Sequence, residues 1–152
     1  TNEEGFAKVI AEGRGGLGPI ITFAGGNDYN IGVDANGDGM INSRYTIGVA
    51  AVGKDGLHAS YSTVGAALLV AAPGGDDEAL SNNIVAKPGG GCHDVTVGTS
   101  FATPVVSAVA ALILQANPRL GWRDVQGILA ISSQKVDAED SSWHTNGAMI
   151  SH

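Results

Sequence analysis

The stretch of this sequence best suited to bond-making chemistry is Gly98-Thr99-Ser100-Phe101-Ala102-Thr103-Pro104. Four of its positions have a mechanical use if Ser100 attacks a carbonyl. A glycine at 98 lets a substrate backbone come close. A serine at a helix N-terminus meets free N–H groups and the positive end of the helix dipole, which favour an alkoxide and a developing oxyanion. Ala102 keeps the first turn thin, and Pro104, placed inside that turn, sets its own φ with no hydrogen bond lost. Five fixed residues of this motif in register coincide by chance on the order of once per million positions. The competing reading of Ser100 is a plain helix N-cap, a frequent role for serine before a helix.

A second group of oxygen-bearing side chains lies in Asp34-Ala35-Asn36-Gly37-Asp38-Gly39. Asp34, Asn36 and Asp38 at alternate positions, followed by glycine and continued by Asn42, match the first half of a calcium loop of the EF-hand kind. Tyr45 stands where a bidentate acid should close such a site. A serine nucleophile also needs a base. His58, in Leu57-His58-Ala59-Ser60, reads as a turn or surface histidine, His93 lies seven residues before Ser100, and His144 and His152 fall in a polar tail. None of the four identifies itself as that base.

Composition narrows the classes. With 152 residues, 43% of them hydrophobic, residues 1–152 make one domain or part of one. The net charge of −7 arises from 15 acidic and 8 scattered basic residues, which leaves no electrostatic footprint for nucleic acid and suits cationic peptides or metal ions. No membrane segment is expected, because the apolar stretch from Phe101 to Leu114 is broken by Pro104 and small polar residues. A single cysteine, Cys92, excludes a disulfide within this sequence.

The elements that would position these groups follow from periodicity. Phe6, Val9 and Ile10 share one face of an N-terminal helix that ends at Gly13. Three buried strands are expected at Ile20–Ala24, Tyr45–Val52 and Ala67–Ala72, each closed by glycine-containing turns. An acidic loop around Asp76-Asp77-Glu78 and a flexible Pro88-Gly89-Gly90-Gly91 segment come next. Helices then run from Ser100 to Ala116 and from about Trp122 to Ser132, before an irregular tail from Gln134 to His152. Apolar strands alternating with helices point to an α/β layer architecture with a largely parallel sheet.

The serine motif resembles the nucleophile signature of the subtilase family, and the resemblance runs along nearly the whole sequence. It is strongest toward the kexin and furin-like branch. Gly13-Arg14-Gly15-Gly16-Leu17-Gly18 leading into Ala24-Gly25-Gly26-Asn27 is similar to that branch's oxyanion strand, and Asn42-Ser43-Arg44-Tyr45-Thr46 and the Tyr61-Ser62 pair continue the match. So do the segment from Ala116 to Gln126 and Trp143-His144-Thr145-Asn146-Gly147.

The resemblance implies a three-layer subtilisin-like fold, incomplete in this sequence, and an endopeptidase acting on polypeptides through an acyl-enzyme. Ser100 would be the nucleophile and Asn27 the side-chain donor to the oxyanion, with Ala24, Gly25 and Gly26 beside the substrate. A bland alternative is that Asn27 only ends a strand. Asp38 has three readings: the acid of the S1 pocket facing a basic P1 residue, a calcium ligand, or a solvated turn. The catalytic Asp and His, absent in any Gly-His-Gly-Thr setting, are expected upstream of Thr1, making the preceding part of the same domain a partner and this sequence inactive alone. The chemistry needs no cofactor. A structural calcium under S1 is disfavoured in the convertase form, because Val33 and Thr63 stand where its acids would be, and Ala35 and Gly65 replace a local disulfide. Cys92 matches a family half-cystine whose partner would lie upstream, and the implied location is secreted or periplasmic. Two rivals remain: a catalytically dead subtilase remnant and a calcium-binding module. An α/β-hydrolase is disfavoured, since Ser100 lacks a Gly-x-Ser-x-Gly elbow.

Overall fold

The computed structural model describes residues 1–76, 83–139 and 143. Three parallel strands form the sheet: β1 (Ile21–Ala24), β2 (Thr46–Val52) and β3 (Leu68–Pro73), in the order β1-β2-β3. Ile21 pairs with Thr46 and Gly48 with Leu68. The strand positions agree with the apolar runs to within a residue or two. Central β2 is the most buried, as a strand covered on both faces must be, whereas β3 alternates and leaves Leu69 38% exposed. The expectation that the third run is buried throughout is corrected by that alternation, since among the described residues β3 has no second strand beside it in this sheet.

Helix α1 (Asn2–Glu12) starts on a capping box, in which Thr1 Oγ1 accepts the Glu4 N–H and the Glu4 side chain reaches back to Thr1. Its apolar side buries Ile10 and sets Phe6 edge-on to Phe23 of β1, with ring centroids 6.0 Å apart. Val9, expected on that side, is 49% exposed instead. Helix α2 (Thr99–Ala116) crosses all three strands, and helix α3 (Trp122–Ser132) packs beside it. The core is built where spacing of four on α2 meets spacing of two on β2: Ala102, Val106 and Ala110 face Ile47, Val49 and Ala51, with Val125 and Leu129 of α3 closing the side. Small alanines at the contact let helix and sheet approach closely.

By length and composition α2 is apolar enough to cross a membrane, a test that core helices also pass. Its inner face nevertheless lies on the sheet as a core helix does. A hairpin, β4 (Asn83–Ala86) with β5 (Cys92–Thr96), is antiparallel and separate from the main sheet. The glycines 89–91, read as a flexible loop, form its turn, where the Gly90 N–H donates to the Lys87 carbonyl at 3.0 Å. The hairpin escapes a sequence reading because β4 is only four residues long and β5 carries three polar side chains, His93, Asp94 and Thr96, among five. Most of the tail, including His144 and His152, lies outside the described residues.

Candidate active site

Ser100 is the second residue of α2 and exposed, and the N-cap is Gly98. Ser100 is therefore not a capping residue. Of the N–H groups that open the helix, that of Thr99 donates to Asn27 Oδ1 at 2.9 Å and that of Phe101 to the Gly98 carbonyl at 2.9 Å. The Ser100 N–H between them makes no hydrogen bond among the described residues, and neither does its hydroxyl. Pro104 is the sixth helical residue, beyond the first turn, so the Ser100 carbonyl lacks the N–H it would otherwise receive. That corrects the expectation that Pro104 removes nothing.

Asn27 follows β1 in an exposed position. Its Oδ1 accepts twice from Thr99, from the N–H at 2.9 Å and from the hydroxyl at 2.9 Å. Two donors on one side fix the amide: the oxygen faces Thr99, and the NH2 must point away from it. The buried Thr99 hydroxyl accepts in turn from the Gly26 N–H at 3.2 Å, which joins the end of β1 to the start of α2. Gly98, at φ +150°, adopts a backbone conformation rare for side-chain-bearing residues, and a Cβ there would stand 3.7 Å from Asn27 Nδ2. Glycine at 98 thus leaves that amide uncovered.

Ala24, Gly25, Gly26 and Asp38 line one cleft of about 640 Å³, together with Asp28 and Asp34. At Gly26, φ is +103° and a Cβ would lie 2.7 Å from Thr63 Oγ1, so only glycine fits this wall. The loop that carries the acids is closed by its own side chains. Asp34 Oδ1 accepts the Asn36 N–H at 2.8 Å, Asn36 Oδ1 the Ala67 N–H at 2.8 Å, and Asp38 Oδ1 the Met40 N–H at 2.7 Å. Each of these three side chains, proposed from sequence as calcium ligands, thus has an oxygen engaged with a backbone N–H. Calcium takes six to eight oxygens, and no three His, Cys, Asp or Glu side chains come together among the described residues. Thr63 Oγ1 accepts the Asp28 N–H at 3.1 Å and ties the loop directly.

His58 is half-buried, with Nε2 2.8 Å from the Ser62 carbonyl and its ring edge-on to Tyr29 at 5.2 Å. A carbonyl only accepts, so Nε2 carries a proton and is held in a turn. His93 sits on β5 opposite Val85.

The model of the subtilase family, Peptidase S8, matches residues 2–147. The chain belongs to the subtilase family. Within it, this subtilase is kexin- and furin-like. It is 38% identical to kexin of Candida albicans over 94% of its own length and 15% of that protein's. It is 36% identical to human proprotein convertase subtilisin/kexin type 7, over 95% of its own length and 19% of that protein's. The chain thus spans less than a fifth of either relative. A serine protease of Aeromonas sobria superposes with a TM-score of 0.84 at 21% identity, over 99% of this chain and 33% of that one, which shows the fold. A cold-adapted subtilisin-like serine proteinase matches with a TM-score of 0.63 at 29% identity, over 78% of this chain and 40% of that one. The subtilase fold and the serine-peptidase family are thereby established.

Sequence reasoning had no role for Thr99, though it stands inside the serine motif, because its partner lies 72 residues away. Asp28 as a neighbour of Asp34 and Asp38 in one cleft was likewise hidden in loop sequence.

Proposed function

We propose that the protein carrying this chain is a serine endopeptidase with Ser100 as nucleophile and with Asn27 Nδ2 and the Ser100 N–H as the two oxyanion donors. The observation that carries this is the double hold of Thr99 on Asn27 Oδ1, which turns the amide N–H groups away from Thr99 beside a helix N-terminus with a free N–H. Ser100 Oγ bonds to the peptide carbonyl carbon while a base takes its proton. The tetrahedral oxyanion is held by the two donors, the amine leaves with that proton, and water then releases the acyl group by the reverse logic. The base and its orienting carboxylate come from sequence preceding this chain, in the order Asp, His, Ser, so the 152 residues alone are inactive. Work in the secretory pathway or outside the cell is part of the same reading, from the kexin and furin-like resemblance.

Asp38, backed by Asp28 and Asp34 in the same cleft, biases P1 toward Arg or Lys. A panel of peptide substrates differing only at P1 tests both parts. Hydrolysis should vanish in Ser100→Ala, and the preference for basic over neutral P1 should fall about 10-fold or more in Asp38→Asn. Activity in Ser100→Ala would refute the nucleophile, and an unchanged P1 preference would refute Asp38 alone.

A further inference from the structure

Asn27 and Ser100 lie on separate stretches of chain, and a third stretch, residues 61–63, is bonded to both. On the Asn27 side, the Thr63 N–H donates to the Gly26 carbonyl at 3.0 Å, and Thr63 Oγ1 accepts the Asp28 N–H at 3.1 Å. The Tyr61 carbonyl accepts the Tyr29 N–H at 3.2 Å. On the Ser100 side, the Tyr61 hydroxyl accepts the Gly98 N–H at 2.9 Å. Its own proton is offered to the carbonyls of Gly74 at 2.9 Å and Gly75 at 2.8 Å. The stretch is anchored in the core, where Ser62 Oγ accepts the Ala51 N–H at 3.0 Å.

We propose that Tyr61 is a positioning residue of the serine site, its hydroxyl fixing the Gly98 peptide and so the placement of the Ser100 N–H relative to the Asn27 amide. The inference rests on the reading of Ser100 as nucleophile. Gly98 is the joint that most needs holding, since it caps α2 without a side chain and in a conformation that few residues share. Its N–H has one other acceptor, the Gly74 carbonyl at 3.0 Å, which belongs to the same junction. Gly74, Gly75 and Gly98 are all buried, so no bulk water replaces the phenol oxygen. Burial holds the Tyr61 phenol above its ordinary value, with the Asp76 charge adding to the effect against the Gly98 hydrogen bond, so the hydroxyl keeps the proton it donates. A space-filling role alone would need only the ring.

Tyr61→Phe keeps the ring and removes the oxygen. In the full protein, kcat should fall on the order of 10-fold or more with KM nearly unchanged, as expected when donors to the transition state are displaced. Affinity for a peptide boronic acid, which forms a tetrahedral adduct on the serine, should fall by the same factor as kcat/KM, while affinity for the product peptide stays the same. Wild-type kcat/KM and boronate affinity in Tyr61→Phe, or a loss confined to KM, would overturn the proposal. Should Tyr61→Phe fail to fold, Tyr61→4-aminophenylalanine retains donation to Gly74 and Gly75 but accepts poorly from Gly98. The same kcat loss there supports the proposal, and no loss overturns it. Hydrolysis surviving in Ser100→Ala would refute the nucleophile reading itself, a result separate from any obtained at Tyr61.

Discussion

At the scale of single residues, the site is an arrangement of hydrogen-bond donors left free by neighbours that use up the competing acceptors. Thr99 takes one side of the Asn27 amide, and the other side becomes a donor by elimination. Asn27→Ala should lower kcat by about 10²–10³ with little change in KM, because the lost bond forms only to the oxyanion. Thr99→Val should lower kcat less, about 10-fold, since the Thr99 N–H still holds Asn27 Oδ1 while the hydroxyl no longer does. Steady-state kinetics on one peptide substrate checks both. Ser100 and Asn27 were legible as candidates from motif and family resemblance. Thr99 as the orienting group was not, because a hydrogen bond across 72 positions leaves no local pattern.

At the scale of elements, helix periodicity and continuous apolar runs carried most of the architecture. The packing of Ile47, Val49 and Ala51 of the buried strand β2 against Ala102, Val106 and Ala110, spaced by four on α2, is what brings α2 across the sheet and its N-terminus to the end of β1. The continuous β-branched run from Tyr45 to Val52 and the apolar helix from Ser100 to Ala116 are both strong in the sequence, so both elements were placed within a residue or two. The β4–β5 hairpin was not, since short strands with polar members have no period to read. Leu129→Ala on α3, a site 6% exposed, should cost about 2–4 kcal/mol in denaturant unfolding of the full protein and leave kcat of the folded fraction unchanged. A kcat loss at retained stability would show that the core and the site are not separable in this way.

At the scale of the whole chain, the outer side of α2 leaves Val105 and Val109 each 41% exposed and Leu112 64% exposed, positions spaced by four and three on one helical stripe. Such a stripe associates with apolar surface. The 152-residue chain produced by itself should bind a hydrophobic dye, self-associate on size-exclusion chromatography and hydrolyse no peptide. A dye-silent monomer that cleaves substrate would contradict the account of where the base comes from.

The central claim is that Ser100 is a nucleophile served by Asn27. Its most direct test is reaction of the full protein with a fluorophosphonate, with the adduct mapped by mass spectrometry and its rate measured. The account predicts a single adduct on Ser100, formed on the order of 10² times more slowly in Asn27→Ala. An adduct elsewhere, none at all, or an Asn27→Ala rate equal to wild type would contradict it.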